Sequence, residues 1–189
     1  MANFYEALVR TLNFEGGYSN EETDRGKETY KGITRRSNPE WSGWAFVDLL
    51  KTNSDFPNCL DRDNILQGEV ESFYMSLWNS MRLQQVRSQS LSNAIFDFAV
   101  NSGQTCAIKF LQRVLNLRSM NGKHWEVLDV DGVMGSKTFA SLSTMQSRYP
   151  ADAELLTSML NCFRGVYCME FAEHVPDQVV NIHSWFSRI

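Results

Sequence analysis

The sequence predicts a mainly α-helical protein with one irregular segment near its start. Apolar residues recur every three or four positions over much of the chain, which is the spacing of one helix face. Alternation of apolar and polar residues, typical of a half-buried strand, is nearly absent. The segment 16–34 is instead rich in Gly, Asn, Ser, Thr, Asp and Glu. We therefore expect a long loop or a small β-hairpin there.

The first helix is predicted by Phe4, Leu8 and Leu12, which share one face. Gly16 and Gly17 should end it, since glycine readily adopts the backbone of a helix exit. The irregular segment that follows is too long for a simple connection, and loops of this length are usually functional or disordered. Its tyrosines argue against disorder.

Five further helical stripes follow. They consist of Leu66, Val70, Phe73 and Leu77; of Leu91, Ala94, Ile95, Phe98 and Ala99; of Ala107, Phe110, Leu111, Val114 and Leu115; of Leu156, Met159, Leu160, Phe163 and Tyr167; and of Val179, Ile182 and Phe186. The fourth stripe is bounded by Pro150 and Pro176, because proline does not fit a helix interior. Ser90 or Ser92 is the expected N-cap of the second stripe and Gly103 its C-cap.

Length and composition place the chain among globular proteins. Its 189 residues suffice for one core or two small halves, and 43% of them are hydrophobic. The polar segment 84–89 is the candidate junction, so we expect halves 1–90 and 91–189 packed as one compact body. A second irregular region is predicted over 118–135.

Charge and cysteine content exclude several functions. The net charge is −4 and the isoelectric point about 5.4, so there is no basic field for nucleic acid, and the apolar runs are too short for membrane insertion. Four cysteines without a CxxC pair are expected to be reduced core thiols; they are Cys59, Cys106, Cys162 and Cys168. We expect no metal and no cofactor, since the three histidines lie far apart.

Glu15 lies where the first helix should end. The negative end of the helix dipole favours the protonated carboxyl there, which is the form a general acid needs. A glycoside hydrolase also needs a second group that attacks the sugar or orients a water. The segment after Glu15 offers several candidates for this group, namely Glu21, Glu22, Asp24, Glu28 and Thr29. A hairpin that turns back on the helix end could bring Asp24 and Thr29 into one cleft with Glu15. The alternatives are an exposed glutamate at a frayed helix end, a turn-forming aspartate and a strand threonine.

Aromatic residues of the same region are candidate sugar-binding surfaces. Tyr18 and Tyr30, with Trp41, Trp44 and Trp78, provide flat apolar faces. Aromatic residues lie more often in the core, so the pattern permits a sugar site without requiring one.

Taken together, these residues resemble a known family. Residues 14–20 (FEGGYSN), then Asp24, Gly26, Thr29 and 31–34 (KGIT), are similar to the signature of the glycoside hydrolase family 108 lysozymes. Residues 94–103 (AIFDFAVNSG), 110–112 (FLQ) and 131–135 (DGVMG) with Thr138 resemble the peptidoglycan-binding module that follows the catalytic half in that family. The chain departs from the pattern at Arg25 and Lys27, where the family usually has proline and glycine.

The resemblance implies a lysozyme-like helical fold and hydrolysis of the β-1,4 bond between N-acetylmuramic acid and N-acetylglucosamine. It assigns the general acid to Glu15. By analogy with phage T4-type lysozymes, Asp24 and Thr29 are expected to position the attacking water. Tyr18, Tyr30 and Asn101 are the expected substrate-binding residues.

The expected partner is bacterial peptidoglycan, and we expect a monomer. The first residues lack a secretory signal, so the interpretation is a phage or prophage endolysin made in the bacterial cytoplasm and acting in the periplasm or cell wall after release. The acidic balance favours a thin Gram-negative wall. Two alternatives remain open: a non-catalytic peptidoglycan-binding or secretion-assisting protein on the same scaffold, and a helical interaction domain.

Overall fold

The computed structural model describes residues 1–20 and 27–189. This part of the chain has eight α-helices: α1 (Phe4–Leu12), α2 (Gly43–Leu50), α3 (Asn64–Ser80), α4 (Gln89–Ser102), α5 (Gln104–Arg118), α6 (Ser136–Arg148), α7 (Asp152–His174) and α8 (Ile182–Phe186). Short 3₁₀-helices lie at Asn58–Arg62, Leu83–Gln85 and Pro176–Asn181. The mainly α-helical prediction is confirmed. Within the described ranges, no helix combines the length and apolar character needed to span a bilayer.

A small antiparallel sheet occupies the segment predicted as a loop or hairpin. Its strands are β1 (Tyr18–Ser19), β2 (Thr29–Tyr30) and β3 (Ile33–Thr34), paired in that order. The turn between β2 and β3 consists of Lys31 and Gly32, with φ of 46° and 79°. Positive φ at both turn positions is the pattern of a type I′ hairpin, whose twist matches that of the flanking strands.

The chain divides into two compact units. One is Leu8–Leu77, and the other combines Met1–Ala7 with Trp78–Ile189. The division into functional halves at 1–90 and 91–189 stays a prediction.

The unit Leu8–Leu77 has its own apolar core. α2 packs against the 3₁₀-helix Asn58–Arg62. Fully or almost fully buried side chains come from the sheet and the helices: Tyr30, Ile33, Trp44, Val47, Leu60, Leu66, Val70 and Tyr74. On α3 the buried stripe runs through Tyr74, whereas Phe73 and Leu77 of the predicted stripe are half-buried.

In the other unit, α4 packs against α5 and α7. The Ser88 side chain accepts a hydrogen bond from the Leu91 N–H at 3.2 Å. Ser88 is therefore the N-cap of α4, and the expectation of Ser90 or Ser92 is wrong by two residues or more. The C-cap prediction at Gly103 is confirmed, since the N–H of Gly103 donates to Ala99 O at 2.9 Å.

All four cysteines are unpaired. Cys59 and Cys168 are buried and Cys106 is half-buried, but Cys162 is exposed. The prediction of core thiols is therefore wrong for Cys162, which lies on the solvent side of α7.

Gln112 organises the irregular region between α5 and α6. This side chain is 1% exposed; its amide donates to Asp131 Oδ1 at 2.7 Å and accepts from the Gly132 N–H at 2.9 Å. Gly132 has a φ of 80°, and a Cβ there would lie 2.8 Å from the Thr105 carbonyl oxygen. A buried amide and one glycine therefore give this turn its shape.

Candidate active site

Glu15 lies three residues beyond the end of α1. Its N–H donates to Leu12 O at 3.2 Å, so the chain still turns tightly at this point. The side chain is half-buried. α1 therefore ends at Leu12, earlier than the glycines predict, and Glu15 lies beyond the helix rather than at its last residue. Its half-buried side chain contacts both protein and solvent.

The carboxyl of Glu15 lies over the turn between β2 and β3. A Cβ built on Gly32 would be 2.7 Å from Glu15 Oε2 and 2.9 Å from the Tyr74 hydroxyl oxygen. The same hydroxyl donates to Lys31 O at 2.6 Å, which holds α3 against the turn. The exit of α1, the hairpin turn and α3 therefore meet at one carboxyl. A carboxyl held this way and still reached by solvent can exchange a proton with a bound ligand.

If Glu15 is the general acid that the family resemblance implies, Gly32→Ala is expected to lower the rate of glycan hydrolysis roughly 10–100-fold. The added methyl would occupy the space of the Glu15 carboxyl, and a positive φ is itself unfavourable for alanine. Displacing a catalytic group by about 1 Å commonly costs a hundredfold in rate. The measurement is the rate of reducing-end release from purified peptidoglycan, the polymer that the family resemblance implies, by the purified variant.

Gly68→Ala is the matched control for this variant. A Cβ on Gly68 meets nothing within 4 Å, and alanine suits a helix interior better than glycine. Activity close to wild type in both variants would show that the carboxyl does not depend on the space above Gly32.

An ion network fastens the sheet to α2. Glu28 is 8% exposed and accepts hydrogen bonds from Tyr18 at 3.0 Å and from Arg35 at 2.5 Å. Lys51 lies 2.6 Å from Glu28 and 2.7 Å from Asp48. Arg35 also pairs with Asp48 through both of its terminal nitrogens. The network therefore ties β1, the approach to β2 and the exit of β3 to the end of α2.

The network keeps both carboxyls ionised. Burial alone would raise the pKa of Glu28, but hydrogen bonds from Lys51, Arg35 and Tyr18 outweigh burial and lower it. Hydrogen bonds from Arg35 and then Lys51 hold the pKa of Asp48 far below its usual range. A carboxyl whose pKa is lowered on folding stabilises the folded state above its unfolded pKa, and this stabilisation is lost as the pH falls toward the folded pKa.

In Glu28→Gln, we expect stability to unfolding to fall less steeply between pH 7 and pH 3 than in the wild type. Wild-type stability should fall as the pH drops below the ordinary glutamate value of 4.5, because Glu28 must then be protonated and its ion pairs are lost. The variant lacks that contribution and should start from lower stability at pH 7. Urea unfolding midpoints between pH 7 and pH 3 measure both effects.

Glu40→Gln is the control, because Glu40 is exposed on the same unit. Its stability profile should run parallel to that of the wild type. An equal acid slope for Glu28→Gln and wild type would mean that Glu28 does not contribute to the acid sensitivity.

The structure separates the predicted tyrosines. Tyr30 is 1% exposed, its hydroxyl donates to Asp61 at 2.9 Å, and burial raises its pKa. It supports the sheet from within, so its ring offers no face to a sugar and we do not retain it as a substrate-contacting residue. Tyr18 is half-buried, with its ring centroid 4.7 Å from that of Phe56, and stays a candidate.

The other predicted site residues are Asp24, Thr29 and Asn101. Asp24 falls in 21–26, outside the described residues, so its role stays a prediction. The half-buried Thr29 donates to Lys27 O at 3.3 Å. Asn101 belongs to the other compact unit, where it lines a cavity with Ser102. Over residues 1–20 and 27–189, no three side chains of His, Cys, Asp or Glu cluster as metal ligands would.

Comparisons with known proteins cover both parts of the chain. Residues 8–103 match the family model Glycosyl hydrolase 108, and residues 106–189 match a model described as Predicted Peptidoglycan domain. Among solved structures, SagA of Brucella abortus is similar over 98% of this chain and 92% of that one, with a TM-score of 0.60 and 22% identity. This likeness shows a shared fold. No protein of curated function matches the chain.

Proposed function

Because its match to the family model spans more than half of its residues, the chain belongs to the glycosyl hydrolase 108 family, and we propose that it is a lysozyme acting on peptidoglycan. The bond cleaved is the β-1,4 linkage between N-acetylmuramic acid and N-acetylglucosamine. The observation that carries the proposal is the Glu15 carboxyl, held over Gly32 beside the Tyr74 hydroxyl within the family match. The match of residues 106–189 supports peptidoglycan as the polymer.

Glu15 acts as the general acid in this mechanism. It gives its proton to the glycosidic oxygen as the bond to the anomeric carbon breaks, which removes the negative charge from the leaving sugar. The turn at Gly32 and the Tyr74 hydroxyl lie next to the carboxyl and limit the space into which it can move. Water supplies the new hydroxyl at the anomeric carbon and releases one proton to the solvent, from which Glu15 is protonated again. We propose that Asp24 and Thr29 position this water.

The test is mass spectrometry of the fragments that the protein releases from purified peptidoglycan, after borohydride reduction of new chain ends. Reduced N-acetylmuramic acid ends are expected. Reduced N-acetylglucosamine ends would overturn the assignment of the bond. Intact glycan together with sedimentation of the protein on sacculi would favour the alternative of a non-catalytic wall-binding protein.

We also propose that the protein serves cell lysis as a monomeric endolysin, made in the bacterial cytoplasm and acting in the cell wall after release. Co-expression with a membrane-pore protein tests this role. Lysis is expected only when both are present and Glu15 is intact, and lysis without the pore protein would contradict dependence on release.

A further inference from the structure

A cavity of about 260 Å³ lies in the unit that contains α4, α7 and α8. Its lining consists of Asn101, Ser102, Tyr167, Cys168, Phe171 and Trp185. It therefore combines three aromatic rings with one amide, two hydroxyls and a thiol. Among the described residues that line it, none carries a charge.

The aromatic part of the lining is held in place. The rings of Tyr167 and Phe171 are 15° from parallel, with centroids 6.3 Å apart, and the Trp185 ring centroid is 5.8 Å from that of Phe171. Tyr167 also packs on Phe98 and Phe110, at 6.0 and 5.7 Å. Because these rings are already ordered, little conformational entropy remains to be lost when a ligand binds.

A buried ion cluster positions Trp185. Arg188, three residues further on, lies 3.2 Å from Asp97 Oδ1, and Asp97 Oδ2 accepts from Arg164 at 2.6 Å. All three side chains are at most 5% exposed. Asp97 lies one turn before Asn101 on α4, so the cluster ties the chain end after α8 to the same helices that form the rest of the cavity.

We propose that this cavity binds one N-acetylated amino sugar of a glycan strand. The inference rests on the proposed function, which identifies the glycan as that of peptidoglycan. The C–H face of a pyranose packs against aromatic rings, while Asn101 and Ser102 can pair with the acetamido group and a hydroxyl. The cavity volume lies just below the roughly 300–1,000 Å³ that is typical of pockets for drug-sized ligands. A volume of this size suits one sugar ring.

The absence of charge among the lining residues decides between sugar and peptide. Stem peptides of peptidoglycan carry carboxylates and ammonium groups, and burying these without ionic partners is unfavourable. N-acetylglucosamine is neutral and carries amide and hydroxyl groups only. The described lining matches the neutral sugar.

The test uses the full chain carrying Glu15→Gln, so that the glycan is not cleaved. The probe is the N-acetylglucosamine trimer. Its binding is measured by NMR from the shifts of the tryptophan indole N–H signals, and the Trp185 signal is assigned as the one missing in Trp185→Phe. We expect this signal to shift until the site is saturated. In Phe171→Ala, the dissociation constant obtained from this signal should rise about tenfold. Phe186→Ala is the control, because Phe186 is 43% exposed and does not line the cavity.

The outcomes separate this inference from the proposed function. If the trimer shifts other tryptophan signals but leaves Trp185 unchanged, the cavity is not a sugar site, even if the wild type cleaves peptidoglycan. A shift of Trp185 by a sugar-free stem peptide instead would also overturn the inference. If the wild type releases no reducing ends while the trimer still shifts Trp185, the sugar site stands and the proposed hydrolysis fails.

Discussion

Replacing Glu15 by glutamine is expected to lower the rate of peptidoglycan hydrolysis by roughly 10²–10⁴-fold, the usual contribution of one general acid. Glutamine keeps the shape of the side chain over Gly32 but has no acidic proton to give to the leaving oxygen. Because Glu15 is half-buried and the replacement has the same size, stability should change by less than about 1 kcal/mol. The rate of reducing-end release and the urea midpoint of the same preparation measure both quantities.

Two further variants sharpen this experiment. Glu15→Asp keeps the acid but withdraws it by one methylene, so we expect a loss of about 10–100-fold from misplacement alone. Glu6→Gln removes an exposed glutamate on α1 and should retain full activity. Wild-type turnover in Glu15→Gln would end the assignment of Glu15 as the acid.

The approximate end of α1, but not its last residue, could be predicted because its causes are local. A stripe through Leu8 ends just before two glycines, and the structure ends α1 at Leu12. The residues that surround the carboxyl could not be predicted in this way. Tyr74 is 59 positions further along the chain, and nothing in the pattern of α3 distinguishes it from other core aromatic residues. Its contact with the turn arises only when the hairpin folds against that helix.

Two helices without a predicting stripe show the limits of periodicity. α2 has the sequence GWAFVDLL, which is apolar on nearly every side, so no single face stands out. α6 has the sequence SKTFASLSTMQSR and buries Thr138, Ser141, Leu142 and Met145. These residues do have helical spacing, and counting small polar residues as core candidates would have found the helix.

Charged residues gave the least information about their surroundings. Sequence patterns place charges on the surface by default, yet Asp97, Arg164 and Arg188 are buried together. In the sequence, Arg164 lies 67 positions and Arg188 lies 91 positions after Asp97. Only the packing of α4, α7 and the segment after α8 brings them into contact. The same packing forms the cavity proposed as a sugar site. Of the residues that line this cavity, only Asn101 is predicted from the sequence to bind substrate.

Asp97→Ala is expected to destabilise the unit that contains it by about 3–5 kcal/mol, the cost of removing one partner from a buried ion pair. The carboxylate is the acceptor for both Arg164 and Arg188. Without it, two guanidinium groups are left in the interior close to each other, where they repel and lack solvation. Urea unfolding at pH 7, followed by far-UV circular dichroism, measures the loss. Asp97→Asn retains an acceptor oxygen and should cost less.

The matched control is Glu126→Ala, because Glu126 and Lys137 form an ion pair that is 73% and 70% exposed and solvent screens such surface pairs, so that they contribute little to stability. A loss for Asp97→Ala no larger than that of the control would mean that the cluster is dispensable for folding.

Loss of the cluster should also let Trp185 move away from the cavity, since Arg188, three residues further on, holds the end of α8 against Asp97. In the folded fraction of Asp97→Asn, weaker binding of the N-acetylglucosamine trimer would therefore connect the buried charges to the cavity, and unchanged binding would show that α8 is held by packing alone.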